Sequence, residues 1–564
     1  MDRSGSVMKQ RRFSWKAPAI ILGFELLESI AFSGVALNLV VYLAGVLHGT
    51  LAFNAAHVDT WNGTTFIVPV VGAFLADSYW GKYRTILASL LFYLAGLVLL
   101  TVSAAVPSLR PAPCTGVPCS PATGTQFSVF FLALYLTSIG TGGVKSALLP
   151  FGAEQYERDG DHDTEGAPAP EKKQSFFSWF FGAINLGIFV AGTLVSWVEQ
   201  NVSWALGFGI ATLCLLIASA AFLAGTPCYR VRLPAGDSPI KGILRVLVAA
   251  FRNRSRQLPP DGDGLYEVDD DKNKDGGDEK LAHTEGLRWL DKAAVRVRGG
   301  GGGAWEVCTV SEVERVKVLA RIVPIWVTCV LYAASLGQMT TTFIQQGMAM
   351  DTRVFGGRFR VPVASLVSVE VVFMLLWVLL HDVVVMPVAR RWRPGGLTQL
   401  QRMGVGRVLV VVSMATAALV ERRRLRGEKR SMSILWQVPQ FVVLAGSDVF
   451  SGIAQLEFFY GEAPGSMRSI CSAFSFLALS LGFYVNSLVV TIVAAVTKRS
   501  DGSGGWLAPD LDAGHLDYYF WLWAVISAAN LALYLLLAGR YNSKKRLSSP
   551  TTTSSPASPH SSHP

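Results

Sequence analysis

The sequence has few charged residues for its length. Only 16% of its 564 residues are Asp, Glu, Lys or Arg, whereas a soluble domain usually carries about a quarter. Hydrophobic residues make up 51% of the chain, and its mean hydropathy is +0.38. Apolar stretches such as FSVFFLALYLTSIG recur along the whole length, and a helix needs roughly 20 such residues to cross a bilayer. The shortage of charge excludes a soluble protein and predicts a polytopic membrane protein.

The sequence also lacks the patterns of an enzyme or a metalloprotein. Its eight His and seven Cys residues show no metal-ligand spacing, and no apolar stretch pairs a nucleophile with a base. We therefore expect no catalytic residues, no metal and no cofactor. The basic N-terminus precedes an apolar run too long for a cleavable signal peptide. Cys114 and Cys119 share a Pro-rich loop, which suits a disulfide and two free thiols about equally well.

The apolar stretches predict twelve spans in two halves. A polar segment of about 90 residues, which contains DDDKNKDGGDEK, separates the sixth span from the seventh. Within it, SPIKGILRVLVAAFRNR predicts an amphipathic helix on the membrane surface. We expect a cytoplasmic N-terminus at 1–16, a six-helix bundle at 17–226, a cytoplasmic linker at 227–315, a second bundle at 316–542 and a disordered tail at 543–564. The predicted spans lie near 17–43, 61–76, 84–106, 126–150, 175–198, 204–225, 316–345, 362–388, 404–420, 432–459, 468–497 and 516–539.

Lysines and arginines set the predicted sidedness. They flank the N-terminus and follow the second, eighth and twelfth spans, and loops rich in these residues face the cytosol. For this reason we attribute the net charge of +10 to cytoplasmic loops and expect no nucleic-acid partner. One segment, ERRRLRGEKR at 421–430, does not follow this rule: it is strongly basic, yet a count of twelve spans places it on the outer side.

Six ionisable residues fall inside predicted spans. A charge near the bilayer centre costs about 2.5–3.5 kcal/mol on insertion scales, so such residues nearly always face a protein-lined or watery interior. They could form structural ion pairs or a transport site. The six are Glu25, Glu28, Lys145, Glu370, Asp448 and Glu457.

Several long motifs resemble the plant nitrate/peptide transporter family. The stretches WNGTTFIVPVVGAFLADSYWGKYRTI (61–86) and GTGGVKSALLPFGAEQYE (140–157) are similar to its second and fourth spans. MSILWQVPQFVVLAGSDVFSGIAQLEFFYGEAPGSMRSICSAFSF is similar to its tenth and eleventh. That family is the plant branch of the proton-dependent oligopeptide transporters, within the major facilitator superfamily. The resemblance runs from about residue 20 to 542. It implies an all-α membrane protein of twelve transmembrane helices in two six-helix bundles, which moves solute by alternating access.

The resemblance also implies roles for particular residues. In relatives that carry peptides, the lysine at position 145 receives the substrate carboxylate and the glutamate at 457 its amino end. Asn185 would add a hydrogen bond. Trp436 and Phe474 would supply apolar area to the pocket or pack between helices. The loop GAFLADSYWGKYR would gate the inner side through Asp77, Lys82 and Arg84.

Glu25 and Glu28 fall in a family motif, Glu-x-x-Glu-Arg, that is tied to proton coupling. Here Ser29 replaces the arginine, so the central cavity between the two bundles has one cation fewer. Three glutamates, Glu25, Glu28 and Glu457, then face Lys145 alone. Either one carboxyl stays protonated, or Lys145 pairs permanently with one of them. We expect weakened proton coupling in both cases.

The markers of particular substrates are missing. Phe32-Ser33 stand where peptide carriers have tyrosines, and Leu336 stands where a nitrate carrier has a histidine. Nitrate and di- or tripeptides both remain open, as do hormones or glucosides, and a sensor that does not transport is the alternative. We expect a plasma or vacuolar membrane protein whose partners are the solute, protons and lipid. A kinase could modify Thr85, in Lys82-Tyr83-Arg84-Thr85, or the Ser/Thr-rich tail.

Overall fold

The computed structural model describes residues 16–112, 120–156, 170–231, 239–256, 258, 265–266, 283–295, 305–354, 357–393, 396–427, 431–462, 468–498 and 505–541. The predicted N-terminal segment up to residue 15, the tail after 541, and Cys114 and Cys119 lie outside these residues.

The described chain is almost entirely helical. Eleven helical stretches are long and apolar enough to cross a membrane, and a further long helix, Leu51–Leu75, lies among them. We call these twelve elements spans 1 to 12. In chain order they are Lys16–Gly45, Leu51–Leu75, Lys82–Ala105, Gly124–Glu154, Ser175–Asn201, Trp204–Ala224, Val310–Met348, Val363–Trp392, Gln399–Arg426, Ile434–Glu462, Arg468–Thr497 and Leu516–Arg540.

Some spans change helix type along their length. Span 5 continues a helix that begins at Pro170, and spans 5, 8 and 10 contain π-helical turns at Ala191–Val195, His381–Val385 and Asp448–Gly452. A fourth π-helical turn, Ala76–Trp80, follows span 2. Span 7 passes through a 3-10 turn, Gly337–Thr340, before its last helix, Thr342–Met348. After span 7, strands β1 (Arg353–Val354) and β2 (Phe359–Arg360) pair antiparallel.

Span 2 begins ten residues before the predicted start at residue 61. Thr50 caps the helix by accepting a hydrogen bond from the Phe53 backbone N–H at 3.4 Å. The first turns carry the buried polar side chains of Asn54 and Asp59, which lower the hydropathy of the segment. Because of these polar residues, the hydropathy of the sequence did not indicate a helix before residue 61.

Small residues allow the helices within each bundle to pack closely, as is common in membranes. A Cβ atom on Gly140 of span 4 would lie 2.4 Å from Cα of Tyr93 in span 3. In the second bundle, a Cβ on Gly406 of span 9 would lie 2.6 Å from the backbone nitrogen of Ser451 in span 10. Neither position leaves room for a larger side chain without moving a backbone.

The two bundles meet along spans 2 and 11. We call the end of the molecule where span 1 ends and span 2 begins the outer end. Thr60 and Ser487 hydroxyls lie 2.9 Å apart, and the Ser480 hydroxyl donates to the Gly63 carbonyl at 2.7 Å. Nearer the end, Gln345 Nε2 of span 7 donates to the Leu51 carbonyl at 3.2 Å. This conformation is therefore closed at its outer end.

Part of the predicted linker is folded. The helix Pro239–Arg252 buries one face against the short helix Arg288–Asp291, the 3-10 turn Lys292–Ala294 and the start of span 7. Lys317 of span 7 is fully buried there and binds Asp291 at 2.6 Å and Glu314 at 2.8 Å. This face packs on protein, while Leu244 and Phe251 remain exposed, and the position of the helix on the membrane surface stays a prediction.

The basic segment that disobeyed the sidedness rule is partly neutralised by its neighbours. Arg424 forms an ion pair with Glu421 at 2.8 Å and another with Asp512 in the loop before span 12. Glu421 also accepts a hydrogen bond from Gln346 at 3.0 Å, and the Arg423 guanidinium lies 4.1 Å from the centroid of the Trp436 ring. Of the basic residues in this segment that the structure describes, Arg424 is thus neutralised by two carboxylates and Arg423 rests on an aromatic ring.

We expect Arg424→Gln to destabilise the protein. Glu421 is fully buried and Arg424 nearly so, and removing one partner of a buried ion pair typically costs about 3–5 kcal/mol. Thermal unfolding of the purified protein in detergent measures the loss. Arg422→Gln, at an exposed neighbouring position, is the matched control and should change stability by no more than about 0.5 kcal/mol. Equal unfolding temperatures for the two variants would contradict the assignment.

Candidate functional site

The two glutamates of span 1 are both buried. Glu28 Oε1 accepts hydrogen bonds from the Tyr93 hydroxyl at 3.1 Å and from the Thr141 hydroxyl at 2.7 Å. Its second oxygen, Oε2, has no hydrogen-bond partner among the described residues. Glu25 lies one turn earlier, where Glu28 and Lys145 are the charged groups that act on it. These two carboxyls and one ammonium thus share one region of the first bundle.

Ser29 is packed against span 5. A Cβ atom placed on Gly187 would lie 2.4 Å from the Ser29 Cβ and 3.0 Å from the Leu26 carbonyl oxygen. The close approach of spans 1 and 5 therefore depends on a small residue on each helix. The arginine of the family motif would not fit between the two helices in this packing.

Lys145 lies over an aromatic ring in the first bundle. Its Nζ atom is 4.1 Å from the centroid of Phe32, a distance typical of a cation–π contact. Phe32 stacks on Trp61 with ring centroids 5.8 Å apart, and the Trp61 indole donates to the Leu134 carbonyl at 3.0 Å. Among the described residues no carboxylate forms an ion pair with Lys145. Permanent pairing of Lys145 with a glutamate is thus not the arrangement in this conformation.

Glu457 has a cation partner that the sequence did not reveal. Arg402 Nη1 donates to Glu457 Oε2 at 2.6 Å, and the Glu457 side chain is 44% exposed. The prediction that the three glutamates face Lys145 alone was wrong for this reason. Span 9 was predicted to begin at residue 404, whereas its helix begins at Gln399 with Thr398 as the capping residue. Arg402 was therefore counted with the loop.

A second arginine of span 9 is buried inside the second bundle. Arg407 lies 4.0 Å from the ring centroid of Tyr534 and 5.5 Å from that of Tyr332. Its guanidinium donates to the hydroxyls of Thr328 at 3.2 Å and Ser451 at 3.3 Å. Near it, Asp448 sits on the π-helical turn of span 10 and acts electrostatically on buried Glu370 of span 8. The sequence identified the two acids but not this arginine.

The other residues expected in the pocket have local partners. Asn185 Nδ2 donates to the Phe181 carbonyl of its own helix at 2.9 Å. Phe474 packs against Trp326 with centroids 5.8 Å apart, and its carbonyl accepts from the Trp326 indole at 2.8 Å. Trp436 lies in the first turn of span 10 under Arg423. Their roles in binding stay predictions.

The three residues expected to gate the inner end differ in their burial and in their contacts. Lys82 forms an ion pair with Glu154 at the end of span 4, while Asp77 lies half-buried on the π-helical turn and Arg84 is exposed. Thr85 is buried, and its hydroxyl donates to the Gly81 carbonyl at 3.0 Å. A kinase would have to reach this hydroxyl in a different conformation, so phosphorylation of Thr85 stays a prediction.

Two halves of six helices, with ionisable side chains facing inward from both, define a membrane carrier of the alternating-access type. The sequence pattern of the POT family matches residues 83–507. In Arabidopsis thaliana, the protein NRT1/PTR FAMILY 8.3 is 42% identical over 555 residues, which cover 95% of this chain and 93% of that protein. NRT1/PTR FAMILY 8.5 of the same plant is 42% identical over 551 residues, covering 96% and 92%.

Solved structures show the same fold. The crystal structure of an auto-inhibited POT family peptide transporter has a TM-score of 0.71 at 21% identity and covers 94% of this chain and 98% of that one. A peptide transporter of the POT family in complex with alafosfalin has a TM-score of 0.65 at 16% identity, with coverage of 94% and 96%. The chain belongs to the POT family, in its NRT1/PTR branch, and is a multi-pass membrane transporter. Membership agrees with the expected plasma or vacuolar membrane.

We expect Ser29→Arg to lower stability even though it restores the family motif. Ser29 is buried against Gly187, and forcing a larger side chain into a packed interior typically costs about 1–3 kcal/mol. Thermal unfolding in detergent is the measurement, with Ser29→Ala as a control that should behave like the wild type. An arginine variant as stable as the wild type would show that the side chain escapes into the chamber.

Proposed function

We propose that the protein carries small nitrogenous solutes, with di- and tripeptides as the first candidates, and that the solute is held between Lys145 of the first bundle and Glu457 of the second. The main observation in support of this proposal is the environment of the Lys145 ammonium group. Its ammonium is half-buried and rests on the Phe32 ring, and no carboxylate of the described part of the chain forms an ion pair with it. A substrate carboxylate would supply the partner that this charge lacks.

The opposite end of a peptide would meet the second bundle. Glu457 is the carboxylate most open to solvent among the six ionisable span residues, and its partner Arg402 leaves one of its oxygens available. A zwitterion with its ends several ångströms apart can satisfy Lys145 and Glu457 together. Because the two residues lie on different bundles, binding would change as the bundles move, which is what a carrier requires.

Nitrate is the second candidate. It would bind to Lys145 alone, because a small anion has no amino group for Glu457 to bind. The family favours a carrier over a sensor that does not transport, and neither an enzymatic activity nor a resident cofactor enters this proposal.

Uptake of a labelled dipeptide into oocytes tests the site. We expect Lys145→Gln to abolish most uptake, because the peptide carboxylate loses its cation, while Glu457→Gln should raise KM. Arg402→Gln should shift KM in the opposite direction, because Glu457 loses its competing cation; for a pair whose carboxylate is half-exposed we expect a change of up to about fivefold, or about 1 kcal/mol. Arg390→Gln, an exposed arginine on span 8, is the control.

The outcomes separate the candidates. Wild-type kinetics in well-expressed Lys145→Gln would refute binding at this residue. Loss of nitrate uptake in that variant, with Glu457→Gln unaffected and no peptide uptake in any of them, would favour nitrate.

We further propose that proton coupling is weaker than in family members with the full motif. Ser29 supplies no cation, and Glu28 is held by two hydroxyl donors. The proton affinity of a carboxyl changes between conformations when its surroundings alternate between a cation and an apolar site. Without that alternation, the carboxyl has little tendency to bind a proton in one conformation and release it in the other.

Solute accumulation in proteoliposomes under an imposed proton gradient measures the coupling. We expect the wild type to equilibrate solute with little accumulation, and Glu25→Gln and Glu28→Gln to leave the accumulation ratio nearly unchanged. Strong uphill accumulation by the wild type that disappears in either variant would contradict the proposal.

A further inference from the structure

One acidic residue outside the site just described lies between the two bundles. Asp59 of span 2 is completely buried, at 0% exposure, in the contact that closes the outer end. Its Oδ2 accepts a hydrogen bond from Asn486 Nδ2 of span 11 at 2.7 Å. Its Oδ1 has no hydrogen-bond partner among the described residues and lies 3.2 Å from where a Cβ atom on Gly337 of span 7 would be.

The amides around Asp59 are oriented by a chain of hydrogen bonds. The Thr342 hydroxyl donates to Gln338 Oε1 at 2.6 Å, and Gln338 Nε2 donates to Asn486 Oδ1 at 2.6 Å. The Tyr519 hydroxyl also donates to Asn486 Oδ1, at 3.3 Å. With its oxygen occupied, Asn486 can offer Asp59 only its N–H group. All of these partners belong to the second bundle, whereas Asp59 belongs to the first.

The other titratable groups near Asp59 do not compensate a negative charge. His57 of the same helix donates from Nδ1 to the Phe53 carbonyl at 2.8 Å, and its ring lies against Phe53 and Phe131. From the neighbouring elements, the phenol of Tyr519 of span 12 interacts electrostatically with Asp59, while the Tyr484 hydroxyl of span 11 lies 2.9 Å from the Thr64 hydroxyl, further along span 2. Among the described residues no cation forms an ion pair with Asp59.

We propose that Asp59 is a proton-binding site at the outer gate: it takes up a proton from the outer solution when the two bundles close there and returns it to the same side when they part. The closed gate surrounds the carboxyl with apolar and neutral groups and offers one N–H donor. Burying an ionised carboxylate without a cation is costly, whereas a neutral carboxyl can be buried with few hydrogen bonds. When the gate opens, water reaches the carboxyl and the ionised form is stabilised.

The direction of the effect follows from this difference. A proton that binds more tightly to the closed gate shifts the equilibrium toward closure as the outer pH falls. One linked proton can change the ratio of closed to open gate by at most about tenfold per pH unit. The proton returns to the side from which it came, so this site regulates the gate without driving solute uphill. It is therefore independent of the Glu25 and Glu28 pair and of which solute is carried.

Spin-label distances across the outer end test the proposal without substrate. Nitroxides on Val202→Cys of the first bundle and Phe359→Cys of the second, both at exposed positions, report the gate in a background whose native cysteines are replaced. In nanodiscs at pH 5.5 and pH 8, we expect the short-distance population to be several-fold larger at the lower pH. Asp59→Asn keeps the shape and an acceptor, and should make the population the same at both pH values.

Two further variants make the test decisive. Asp59→Ser is a second neutral replacement in case Asp59→Asn folds poorly. Glu199→Gln removes another buried carboxyl that has an unpartnered oxygen but bonds to Asn38 within the first bundle, and it should retain the wild-type response. A response to pH that survives in either neutral Asp59 variant, or one lost in Glu199→Gln, would overturn the proposal. Failure to transport peptides would leave this measurement unaffected.

Discussion

An ionised side chain inside a bilayer needs either a partner or a polar chamber, and this requirement organises the charged residues of the spans. Glu421 and Arg424 are paired at the outer end, and Lys317 is paired with Asp291 and Glu314 near the linker. These pairs join elements that are neighbours in the fold, span 7 to the linker and span 9 to the loop before span 12. Lys145, Glu457 and Asp59 are among the residues that remain incompletely matched, and we propose that solute and protons bind at them.

The incomplete matching takes a different form in each bundle. In the first, Lys145 rests on Phe32, a weak contact that a substrate carboxylate would replace in the proposed function. In the second, Glu457 already has Arg402, so its interaction with a solute must compete with an existing ion pair. In the proposed function, the first bundle would therefore bind the anionic group of the solute more strongly, and the second would adjust selectivity for its other end. Asp59 adds a third arrangement, a carboxyl of the first bundle whose hydrogen-bond donor, Asn486, belongs to the second.

Much of the fold could be predicted because long apolar runs and polar loops alternate along the chain. Span 11 was predicted at 468–497 and is observed at Arg468–Thr497, since polar segments limit it at both ends. Span 2 was less predictable because its outer half carries polar residues that the second bundle covers. Arg402 was missed for a related reason: hydropathy ends a span where charge begins, although the helix continues.

The site was only partly visible in the sequence. Motif resemblance singled out Lys145, Glu457, Glu25 and Glu28, but their partners come from positions far apart in the chain. Arg402 lies 55 residues from Glu457, and Thr141 lies 113 residues from Glu28. The consequence of Ser29 could likewise be assessed only with Gly187 beside it. Charge counts along a sequence cannot show which ions meet, and that decides which of them are free to bind.

A structure of the protein with a bound selenomethionine-containing dipeptide would test the central claim most directly, because anomalous scattering locates the ligand independently. We expect the peptide carboxylate within about 3 Å of Lys145 Nζ, the distance of a charge-assisted hydrogen bond, with the ammonium displaced from Phe32 and the peptide amino group facing Glu457. A peptide bound elsewhere, with Lys145 still over Phe32 and Glu457 still bound only to Arg402, would contradict it.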